Sequence, residues 1–500
     1  MTRHRSVVLV SFVVVFALAL PARAVIFEVD RLDDPFPAQV CDSGVAGDCS
    51  LREAVINANA TAGPDLIILP AGTYSLTRPG SGEDVAVTGD LDITEAVRIE
   101  GAGEVLTIID GGGPGGLGDR IIDIHGADVE IDNLTIRGGS GVLGAGGLYN
   151  RSGTNTQITN TTITSNTADI VDGFGGGMQN AGTCTLINST VHDNEASRAG
   201  GIDAAGVTTF QDSRITNNRA LATRDWGGGG ILSFQPGTTT TLIRTVVSGN
   251  TSAKFGGGLH AHGPTVIEDS IFELNHATET GGGISVGPSR TVTIERSSLI
   301  GNTSGSIGGA ICVEDTGTLD LTNSTISGNQ ATVVGGGLMV YGVATLVNST
   351  ISRNTAQLGT AMMSSPISTV IYGNTIFDGN CAASGDTVTL GGNIESPGNF
   401  CGLSPTLDQF NVAPLALRLG PLGYYGGSTP THLPVPGSVA IDTGIGCPPP
   451  QEDQRGLTRP IDGDGDSSAL CDVGSVEALL IEYPWLFLDG FETGDTQAWQ

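Results

Sequence analysis

Positive charge is scarce in this sequence. Lys254 is the only lysine, and 22 Lys and Arg residues stand against 52 Asp and Glu residues in a chain of 500, which gives a formal net charge of −30. A chain this acidic repels the phosphate groups of nucleic acids and of anionic lipids. The composition therefore argues against nucleic acid and anionic membrane surfaces as partners.

Aromatic residues (5%) and charged residues (15%) are also few, whereas ordinary globular domains carry about 25% charged residues. Glycine is abundant, with 76 residues, and 39% of the chain is hydrophobic. This hydrophobic share excludes a disordered chain. It predicts a large core built from small and β-branched side chains.

Long apolar runs are missing after residue 20. Residues 6–20 form the one such run, preceded by Arg3 and Arg5 and followed by the small-x-small sequence at 22–24. The run has about 15 residues, and a membrane-spanning helix needs about 20. The pattern is typical of a secretory signal peptide cleaved after Ala24, and cleavage would change the formal charge to −33 by removing three arginines. We expect an exported protein whose mature chain has no transmembrane span.

A short pattern recurs along the middle of the chain: an apolar residue, two variable residues and an asparagine. The asparagines are 24 to 32 residues apart, and a glycine cluster follows most of them. A period of this length indicates stacked repeats. The segments before each asparagine alternate and are rich in Thr, Val and Ile, which is typical of short strands. The repeated asparagines are Asn166, Asn194, Asn218, Asn250, Asn275, Asn302, Asn329, Asn354 and Asn380.

These features predict an all-β fold, a right-handed parallel β-helix. With weaker repeats from residue 66 included, about twelve coils would make a rod on the order of 60 Å long at ~4.8 Å per coil. Each coil would bury its inward residues against its neighbours. The repeated asparagine would form a corner, because it tolerates left-handed backbone and can hydrogen-bond along the stack. The glycine clusters would allow turns with positive φ.

Both ends of the repeat show features of caps. Ser50 and Glu53 have the spacing of a capping box for a short helix at 49–60, with Leu51, Ala54, Val55 and Ala58 on one face. Residues 402–480 are rich in Pro, Gly and Asp and predict an irregular cap. The predicted domains are a signal peptide (1–24), an N-terminal cap (25–63), the β-helix (64–401), a C-terminal cap or anchor-type domain (402–480) and a tail (481–500).

Several motifs resemble one group of proteins. CSLREAV at 49–55, LPAGTYSLT at 69–77, the NSTISGN coils and the series AIDTG, DQRG, DGDG and CDVGSVE between 440 and 477 resemble bacterial exported β-helix proteins with the CSLREA motif. The last series is similar to the choice-of-anchor domain of the Q type, and the coils resemble those of polymorphic outer-membrane proteins. The tail GFETGDTQAW resembles an ending of exported bacterial proteins. The resemblance covers nearly the whole mature chain and implies a location outside the cell or on the bacterial surface or outer membrane. It implies no defined reaction.

The eight cysteines are unevenly distributed. In an exported protein, their spacing predicts three local disulfides, Cys41–Cys49, Cys381–Cys401 and Cys447–Cys471. Cys184 and Cys312 are 128 residues apart, nearly five coils. That separation corresponds to more than about 20 Å, so they are predicted to be free thiols.

The turn before each glycine cluster gathers candidate ligand-binding residues. Aromatic and cationic side chains occur there in nearly the same phase of successive coils, namely Phe174, Trp226, Lys254 and Phe255. Such groups on adjoining turns could grip a sugar chain, whereas the alternative is a solvated row of mixed charge.

Acidic residues on the same turns are the candidates for catalysis. Asp172, Asp225 and Glu279 occur in that phase, with Arg198 between them. Glycosidases use a pair of carboxyl groups about 5 to 10 Å apart. Convergence of these three carboxylates in a groove would therefore favour an enzyme, and separation would disfavour one.

Two further motifs are candidates for metal binding. Asp462, Asp464 and Asp466 alternate with glycine and could bind Ca²⁺ through oxygen ligands, although the residues that an EF-hand requires further along are missing; the alternative is an Asp/Gly turn. His260 and His262 are two apart on a predicted strand and would face one side. They could bind a metal, and the alternative is an ordinary surface strand.

Two function classes follow. The first is a secreted or cell-surface scaffold, adhesin-like and non-enzymatic, that binds a polysaccharide or surface glycan as a monomer. The second is a polysaccharide lyase or glycoside hydrolase of the pectate-lyase-like fold. The sequence contains no Arg-x-Lys or Gly-His-Gly pattern, which favours the first class. The NST triplets fit N-glycosylation sites, but their phase in the repeat is explained by turns and strands.

Overall fold

The computed structural model describes residues 24–35, 41, 45–141, 144–169, 171–222, 227–235, 237–447 and 449–479. The predicted signal peptide, apart from Ala24, and the predicted tail lie outside these residues. Within them the chain folds as the predicted right-handed parallel β-helix. In the described ranges, none of the helices has the length and hydrophobicity that crossing a bilayer requires.

Each coil adds one strand to each of three parallel sheets, and the middle coils add a short fourth strand. Over the described residues, sheet I has 14 strands, sheet II 13, sheet III 12 and sheet IV eight. The stack has about ten regular turns, slightly fewer than the predicted twelve coils. The coils at both ends are less regular because they lack a strand of sheet IV.

The strand bounds are as follows. Sheet I consists of Ile26–Glu28, Asp65–Leu69, Val97–Gly101, Asp128–Asp132, Asn155–Thr159, Thr183–Ile187, Val207–Gln211, Thr240–Ile243, Thr265–Glu268, Thr291–Glu295, Thr318–Thr322, Val343–Val347, Thr369–Gly373 and Asp386–Thr389. Sheet II consists of Gly72–Ser75, Thr107–Asp110, Thr135–Arg137, Thr162–Thr164, Thr190–His192, Arg214–Thr216, Val246–Ser248, Ile271–Glu273, Ser298–Ile300, Thr325–Ser327, Thr350–Ser352, Ile376–Asp378 and Ile394–Ser396. Sheet III consists of Leu91–Ile93, Ile122–Ile124, Leu148–Asn150, Met178–Asn180, Ile202–Ala204, Ile231–Ser233, Leu259–Ala261, Ile284–Val286, Ile311–Val313, Leu338–Val340, Met362–Ser364 and Cys381–Ala383. Sheet IV consists of Ser140–Gly141, Thr167–Ala168, Glu195–Ala196, Arg219–Ala220, Thr251–Ser252, His276–Ala277, Thr303–Ser304 and Gln330–Ala331.

The core runs along the axis of the stack. In sheet I, Ile99 pairs with Ile131, Ile131 with Ile158, and Ile158 with Leu186. All four side chains are buried, and the residues between them point outward, as the alternation of the sequence predicts. Identical inward positions in successive coils thus form continuous apolar rows.

Eight of the nine repeated asparagines form a buried ladder at one corner. The backbone N–H and the Nδ2 group of Asn194 donate to Oδ1 of Asn218 at 3.1 and 3.0 Å, and Nδ2 also donates to the carbonyl oxygen of Ile163 at 3.0 Å. The contact recurs from Asn166 to Asn354. The predicted corner is confirmed for these eight, whereas Asn380 is exposed.

The ladder asparagines are not the left-handed residues of their turns, which corrects one part of the prediction. The residue before the asparagine has the positive φ, as in Asp193 (53°) and Leu274 (55°). The asparagine side chain itself points inward, and its amide forms hydrogen bonds with the coils on both sides. Left-handed asparagines form a second corner, between sheets I and II, as in Asn160 and Asn188 (both 47°).

The NST triplets belong to this second corner. Asn188, Asn323 and Asn348 all have positive φ there, and Asn323 and Asn348 are buried. A backbone turn therefore accounts for the triplet, as the sequence suggested.

The glycine clusters serve two purposes. Gly281 has a φ of 64°, so the predicted positive-φ turn is present. At Gly282, a Cβ atom would lie 2.3 Å from the carbonyl oxygen of Gly309 in the next coil. The second glycine is therefore needed because two backbones approach closely.

The N-terminal helix Leu51–Asn59 begins with the predicted capping box. Glu53 N–H donates to Ser50 Oγ at 3.4 Å, and Ser50 N–H donates to Glu53 Oε2 at 2.8 Å. Leu51, Ala54, Val55 and Ala58 are buried on one face, and Arg52 and Glu53 are buried with them.

The C-terminal segment does more than end the stack. It contains the helix Pro414–Leu417 and an antiparallel pair, Leu419–Gly423 with Thr431–Pro434, and it folds back along the outer face of sheet II. Thr325 Oγ1 donates to Gln454 Oε1 at 2.7 Å, and Ser327 Oγ lies 2.8 Å from His432 Nε2. This segment therefore covers one flank of the later coils.

The three predicted disulfides, Cys41–Cys49, Cys381–Cys401 and Cys447–Cys471, are present. Cys184 and Cys312 are buried free thiols. Each disulfide closes a short loop, with 8, 20 and 24 residues of sequence separation respectively.

We predict that Asn250→Ala lowers the free energy of unfolding by about 2–4 kcal/mol, because a buried group left unsatisfied costs about 1–3 kcal/mol. Two groups lose their partners, the N–H of Asn218 and the carbonyl of Ile215. Denaturant unfolding measures the loss. The matched control is Asn155→Ala, on an exposed position of sheet I, with an expected change within about 0.5 kcal/mol. Equal effects of the two substitutions would contradict the ladder's role.

Candidate functional site

The predicted ligand-binding turns lie along one edge of sheet III. Phe174 is partly buried, and the Arg198 guanidinium lies 4.4 Å from its ring centroid. Further along the edge, Lys254 Nζ lies 4.7 Å from the centroid of Phe255. Cations over aromatic faces are favourable by about 0.5–1 kcal/mol at exposed sites. Trp226 lies outside the described residues, so the edge is defined by these two cation–aromatic pairs.

The candidate catalytic carboxylates do not converge. Asp172 is exposed and lies 3.7 Å from Arg198, and Glu279 is also exposed. Four steps of sheet IV separate their turns, which corresponds to ~19 Å along the axis. Asp225 lies outside the described residues. The structure therefore does not form a glycosidase-like pair from Asp172 and Glu279.

A different row of side chains lines the outer face of sheet III. The central residue of each strand points outward because its two neighbours point into the core. Outward residues are normally solvated, but most members of this row are buried, since adjoining turns fold over them. We call this row the sheet III column. In register it contains Asp92, Asp123, Tyr149, Gln179, Asp203, Leu232, His260, Ser285, Cys312 and Met339.

The first part of the column is a cluster of acids and bases around His125. Nε2 of His125 lies 3.0 Å from Asp92 Oδ1 and 3.4 Å from Asp123 Oδ1. Arg151 donates through Nε and Nη2 to both oxygens of Asp123, at 2.8 Å each. His125 and Arg151 remain partly exposed, with 18% and 39% of their side chains accessible. The cluster thus opens to solvent on one side.

Tyr149 lies between two guanidinium groups in this cluster. Arg120 and Arg151 lie 5.5 and 5.4 Å from its ring centroid. Arg120 also contacts Asp123 at 2.5 Å and Asp90 at 3.3 Å. The two arginines therefore compensate part of the carboxylate charge and hold the tyrosine ring.

The surroundings change the protonation of the acids. Burial, reinforced by the nearby carboxyl of Asp119, raises the pKa of Asp90 to about 8. Burial also raises the pKa of Asp92 to about 6. A carboxyl group with a raised pKa can hold a proton at neutral pH and donate it. Together with His125, the cluster has the components for proton transfer.

The N-terminal cap helps to build this cluster. Arg52 is buried, pairs with Asp34 at 2.8 Å, and donates to three backbone carbonyl groups of the loop 86–90 at 2.8 to 3.0 Å. In the same loop, Ala86 N–H donates to Asp92 Oδ2 at 2.8 Å. The cap helix therefore holds the loop that closes over Asp92.

The middle of the column contains Asp203. It is buried and accepts a hydrogen bond from Gln179 Nε2 at 3.0 Å. Burial raises its pKa to about 7, while the charge of Arg198 acts in the opposite direction. Asp203 is thus a second buried acid whose pKa lies near neutral pH, and it is close to the turn that contains Phe174.

The third part of the column is a histidine pair. His260 and His262 are buried, so the surface-strand alternative is wrong, and the N–H of Gly227 lies against Nδ1 of His260. Their Nε2 atoms are 2.8 Å apart, and the Phe255 and His260 ring centroids are 5.2 Å apart. Burial lowers the pKa of His262 to about 4 and lowers that of His260 well below its ordinary range. Both imidazoles are therefore neutral at pH 7.

The sequence pointed to the turns at the edge of sheet III, but not to the covered side chains of the sheet III column. Seven of the ten column residues had a usable signal, because they follow the apolar residue after a glycine pair, as in GGLY, GGMQ, GGID and GGLH. Alternation assigns that residue to the outside of the coil. Whether turns bury these outward residues depends on how the turns fold, and the alternation does not specify that.

The DGDG loop brings two of its predicted ligands together. Carboxylate oxygens of Asp462 and Asp464 lie within 4.8 Å of each other and of Asp442, whereas Asp466 is not in this group. The oxygens of Asp462 already accept hydrogen bonds from Gly465 and Ser467, an arrangement that the Asp/Gly-turn alternative also explains. Calcium binding here remains a prediction.

Comparison with known proteins agrees with the fold. A family model described as a right-handed β-helix region matches residues 116–265 and 178–356. Among curated proteins, none matches the sequence.

Solved structures with a similar course of the chain have low sequence identity to it. Pectate lyase Pel9A is 13% identical, with 92% of this chain and 97% of that chain covered and a TM-score of 0.37. The A-module of the Azotobacter vinelandii mannuronan C-5 epimerase AlgE6 is 16% identical, with coverage of 70% and 96% and a TM-score of 0.42. A DFA-IIIase from Arthrobacter chlorophenolicus A6, without its lid, is 11% identical, with coverage of 78% and 99% and a TM-score of 0.38. No activity is assigned to this chain from these similarities.

We predict that the histidine pair makes the fold less stable as pH falls. An unfolded histidine binds a proton near pH 6.5, but folded His262 does so only near pH 4. Between these values the unfolded chain binds more protons, so acidification lowers stability. The raised pKa values of Asp90 and Asp203 act with the opposite sign. His262→Gln should therefore lose less Tm than the wild type between pH 7 and pH 5. Identical shifts in the two proteins would refute this assignment.

Proposed function

We propose that this chain is an exported, surface-associated β-helix protein that binds a polysaccharide along the turns at the edge of sheet III. One observation supports this above others: the column of covered polar side chains is flanked by two cation–aromatic pairs. The predicted signal peptide and the resemblance to exported CSLREA-motif proteins favour the location. A monomer remains the expected state.

The dimensions and chemistry of the column fit a chain-like ligand. From Asp123 to His260 it extends over five coil steps, or about 24 Å, which is long enough for several sugar units. The partly exposed side chains of Arg151, Arg198 and Lys254 can donate hydrogen bonds to sugar hydroxyls, and the partly exposed rings of Phe174 and Phe255 offer faces for the apolar side of a sugar ring.

A second candidate function is polysaccharide cleavage as a lyase or glycoside hydrolase. The partly exposed His125, in contact with Asp92 and next to the Arg120–Tyr149–Arg151 group, favours it. The imidazole of His125 can accept a proton from a sugar carbon or a water and return it to the oxygen of the leaving group. The carboxylates of the exposed turns take no part in this mechanism.

Binding is tested with the full chain on a glycan array, followed by titration of the best ligand. Phe255→Ala should weaken binding about tenfold, because an aromatic contact of about 1.5 kcal/mol is lost. The matched control is Phe400→Ala, an exposed phenylalanine outside the column, which should leave the affinity unchanged. Equal losses for both variants, or no ligand on the array, would count against binding at this edge.

Catalysis is tested by incubating the protein with a panel of polysaccharides and measuring released products. If a product forms, His125→Asn should lower the rate at least about a hundredfold, since general acid–base groups contribute about 10²–10⁴. His192→Asn, at a partly exposed position of sheet II, is the control and should retain the wild-type rate. Product release that survives His125→Asn would refute the assigned base, and no product from any polymer would leave binding as the function.

A further inference from the structure

Asp65 is an acidic residue at an inward position of sheet I. Buried side chains alternate along the strand Asp65–Leu69, and Asp65 is one of them, with 2% of its surface exposed. In the next two coils the same row contains Val97 and Val129, which are both buried. A buried carboxylate among apolar side chains is costly unless a partner compensates it. Asp65 therefore needs a partner close to its carboxylate group.

One oxygen of this carboxylate has a partner and the other does not. Oδ1 accepts the backbone N–H of Val25 at 2.8 Å, whereas Oδ2 is buried and accepts no hydrogen bond within the described part of the chain. The adjoining strand carries a cation, Arg98, but Arg98 pairs in register with Leu66, on the opposite face of the sheet. Its guanidinium group instead contacts three acidic side chains, those of Glu100, Glu130 and Asp132.

Val25 is fixed beside Asp65 by contacts on both sides of the residue. Its N–H donates to Asp65, and its carbonyl oxygen accepts the N–H of Leu66 at 2.9 Å. From Ile26 onward the chain pairs in parallel with the next strand of sheet I, beginning at Leu66. The backbone nitrogen of Val25 is therefore held at the buried carboxylate, although Ala24 and Val25 are themselves exposed.

Val25 is also the first residue of the chain that remains after the predicted signal peptide is removed. We propose that hydrolysis of the Ala24–Val25 bond supplies Asp65 with a cationic partner, because the new α-ammonium group of Val25 forms an ion pair with the buried carboxylate. The cleavage consumes one water molecule and leaves a carboxylate on Ala24 and an ammonium group on Val25. The inference rests on the proposed export of the chain, since signal peptides are removed from exported proteins.

The cleavage changes what the nitrogen of Val25 can donate. Before cleavage this nitrogen belongs to an amide and has one N–H, which Asp65 Oδ1 accepts. An ammonium group has three N–H donors and a positive charge, so it can serve the second oxygen and compensate the carboxylate. Hydrogen bonds between charged groups are about twice as strong as neutral ones. Removal of the signal peptide thus fastens the strand Ile26–Glu28, which has a neighbouring strand on one side only among the described residues.

The position of Asp65 also selects the bond that is cut. A cut one or two residues earlier leaves the nitrogen of Val25 in an amide, and a cut one residue later removes Val25 altogether. Only a cut after Ala24 places the charge on the nitrogen that contacts Asp65. The contact in the fold and the small-x-small sequence at 22–24 therefore indicate the same bond.

The first test is mass spectrometry of the full chain after secretion from a bacterial host. We expect a mature protein that begins with Val25. A different first residue on an exported chain would overturn the proposal and leave export standing. A chain that stays inside the cell would overturn both the proposal and the export, but not the polysaccharide binding, which the glycan array tests separately.

The ion pair is tested by acetylation of the mature chain at pH 7. This chain has two primary amines, the α-amine of Val25 and Nζ of Lys254, and mass spectrometry measures the reaction of each. An ion pair that raises the pKa of the α-amine by one unit lowers its reactive, unprotonated share about tenfold. Asp65→Asn should therefore speed acetylation of Val25 at least about tenfold and leave that of Lys254 unchanged. Glu28→Gln, at an exposed position of the first strand, is the matched control and should change neither rate.

Hydrogen exchange of the backbone amides at 26–29 separates the ion pair from a general loss of stability. A chain that retains Ala24 keeps Asp65 but has an amide at Val25, so these amides should exchange at least about tenfold faster in it than in the chain that begins at Val25. Exchange in Thr369–Gly373, at the far end of sheet I, should be the same in both chains. Equal acetylation of Val25 in the wild type and Asp65→Asn, or equal exchange at 26–29 with and without Ala24, would overturn the ion pair.

Discussion

The asparagine ladder is the constraint on which the rest of the structure depends. Within the ladder, each amide oxygen accepts hydrogen bonds from the asparagine of the coil before, and each Nδ2 group donates to the next ladder asparagine and to a carbonyl group of the coil before; all of these contacts are buried. A coil that slipped by one residue would leave buried amide and backbone groups without partners, each at a cost of about 1–3 kcal/mol. Over the coils from Asn166 to Asn354, the ladder therefore fixes the register of the strands, and turns of different length must be accommodated elsewhere. They project from the coil beside sheet III.

Fixed register is also what creates the candidate site. Residues of the sheet III column are separated by 24 to 31 positions in the chain, yet they align because the strands around them align. The variable turns then close over the column. Their contacts differ from coil to coil: the cap helix holds one loop through Arg52, and Gly227 covers His260. The regular stack of coils thus carries a column of side chains whose covering contacts differ from coil to coil.

The sequence predicts the parts of the fold that repeat. The period, the inward residues, the corner asparagines, the glycine turns, the capping box and the three disulfides follow from local patterns and are present. Contacts between non-repeating segments could not be predicted in the same way. Nothing in the spacing of Arg52 and Asp34 indicates that they form a buried pair, and nothing in DQRG indicates that Gln454 packs against Thr325. These contacts depend on the direction in which irregular segments fold back, which has no periodic signal.

The column also differs from the rest of the molecule in charge. The chain carries a formal charge of −30, but burial raises the pKa of Asp90 to about 8 and that of Asp203 to about 7, and lowers that of His262 to about 4. Asp123 is compensated by two arginines. Near neutral pH Asp90 therefore keeps its proton and His262 is neutral, whereas Asp92, with a pKa of about 6, is mostly ionised. A strongly anionic polymer would meet repulsion from a surface with the net charge of this chain. Under the proposed function, this repulsion favours a neutral polysaccharide, recognised by its hydroxyl groups, over a polyuronate.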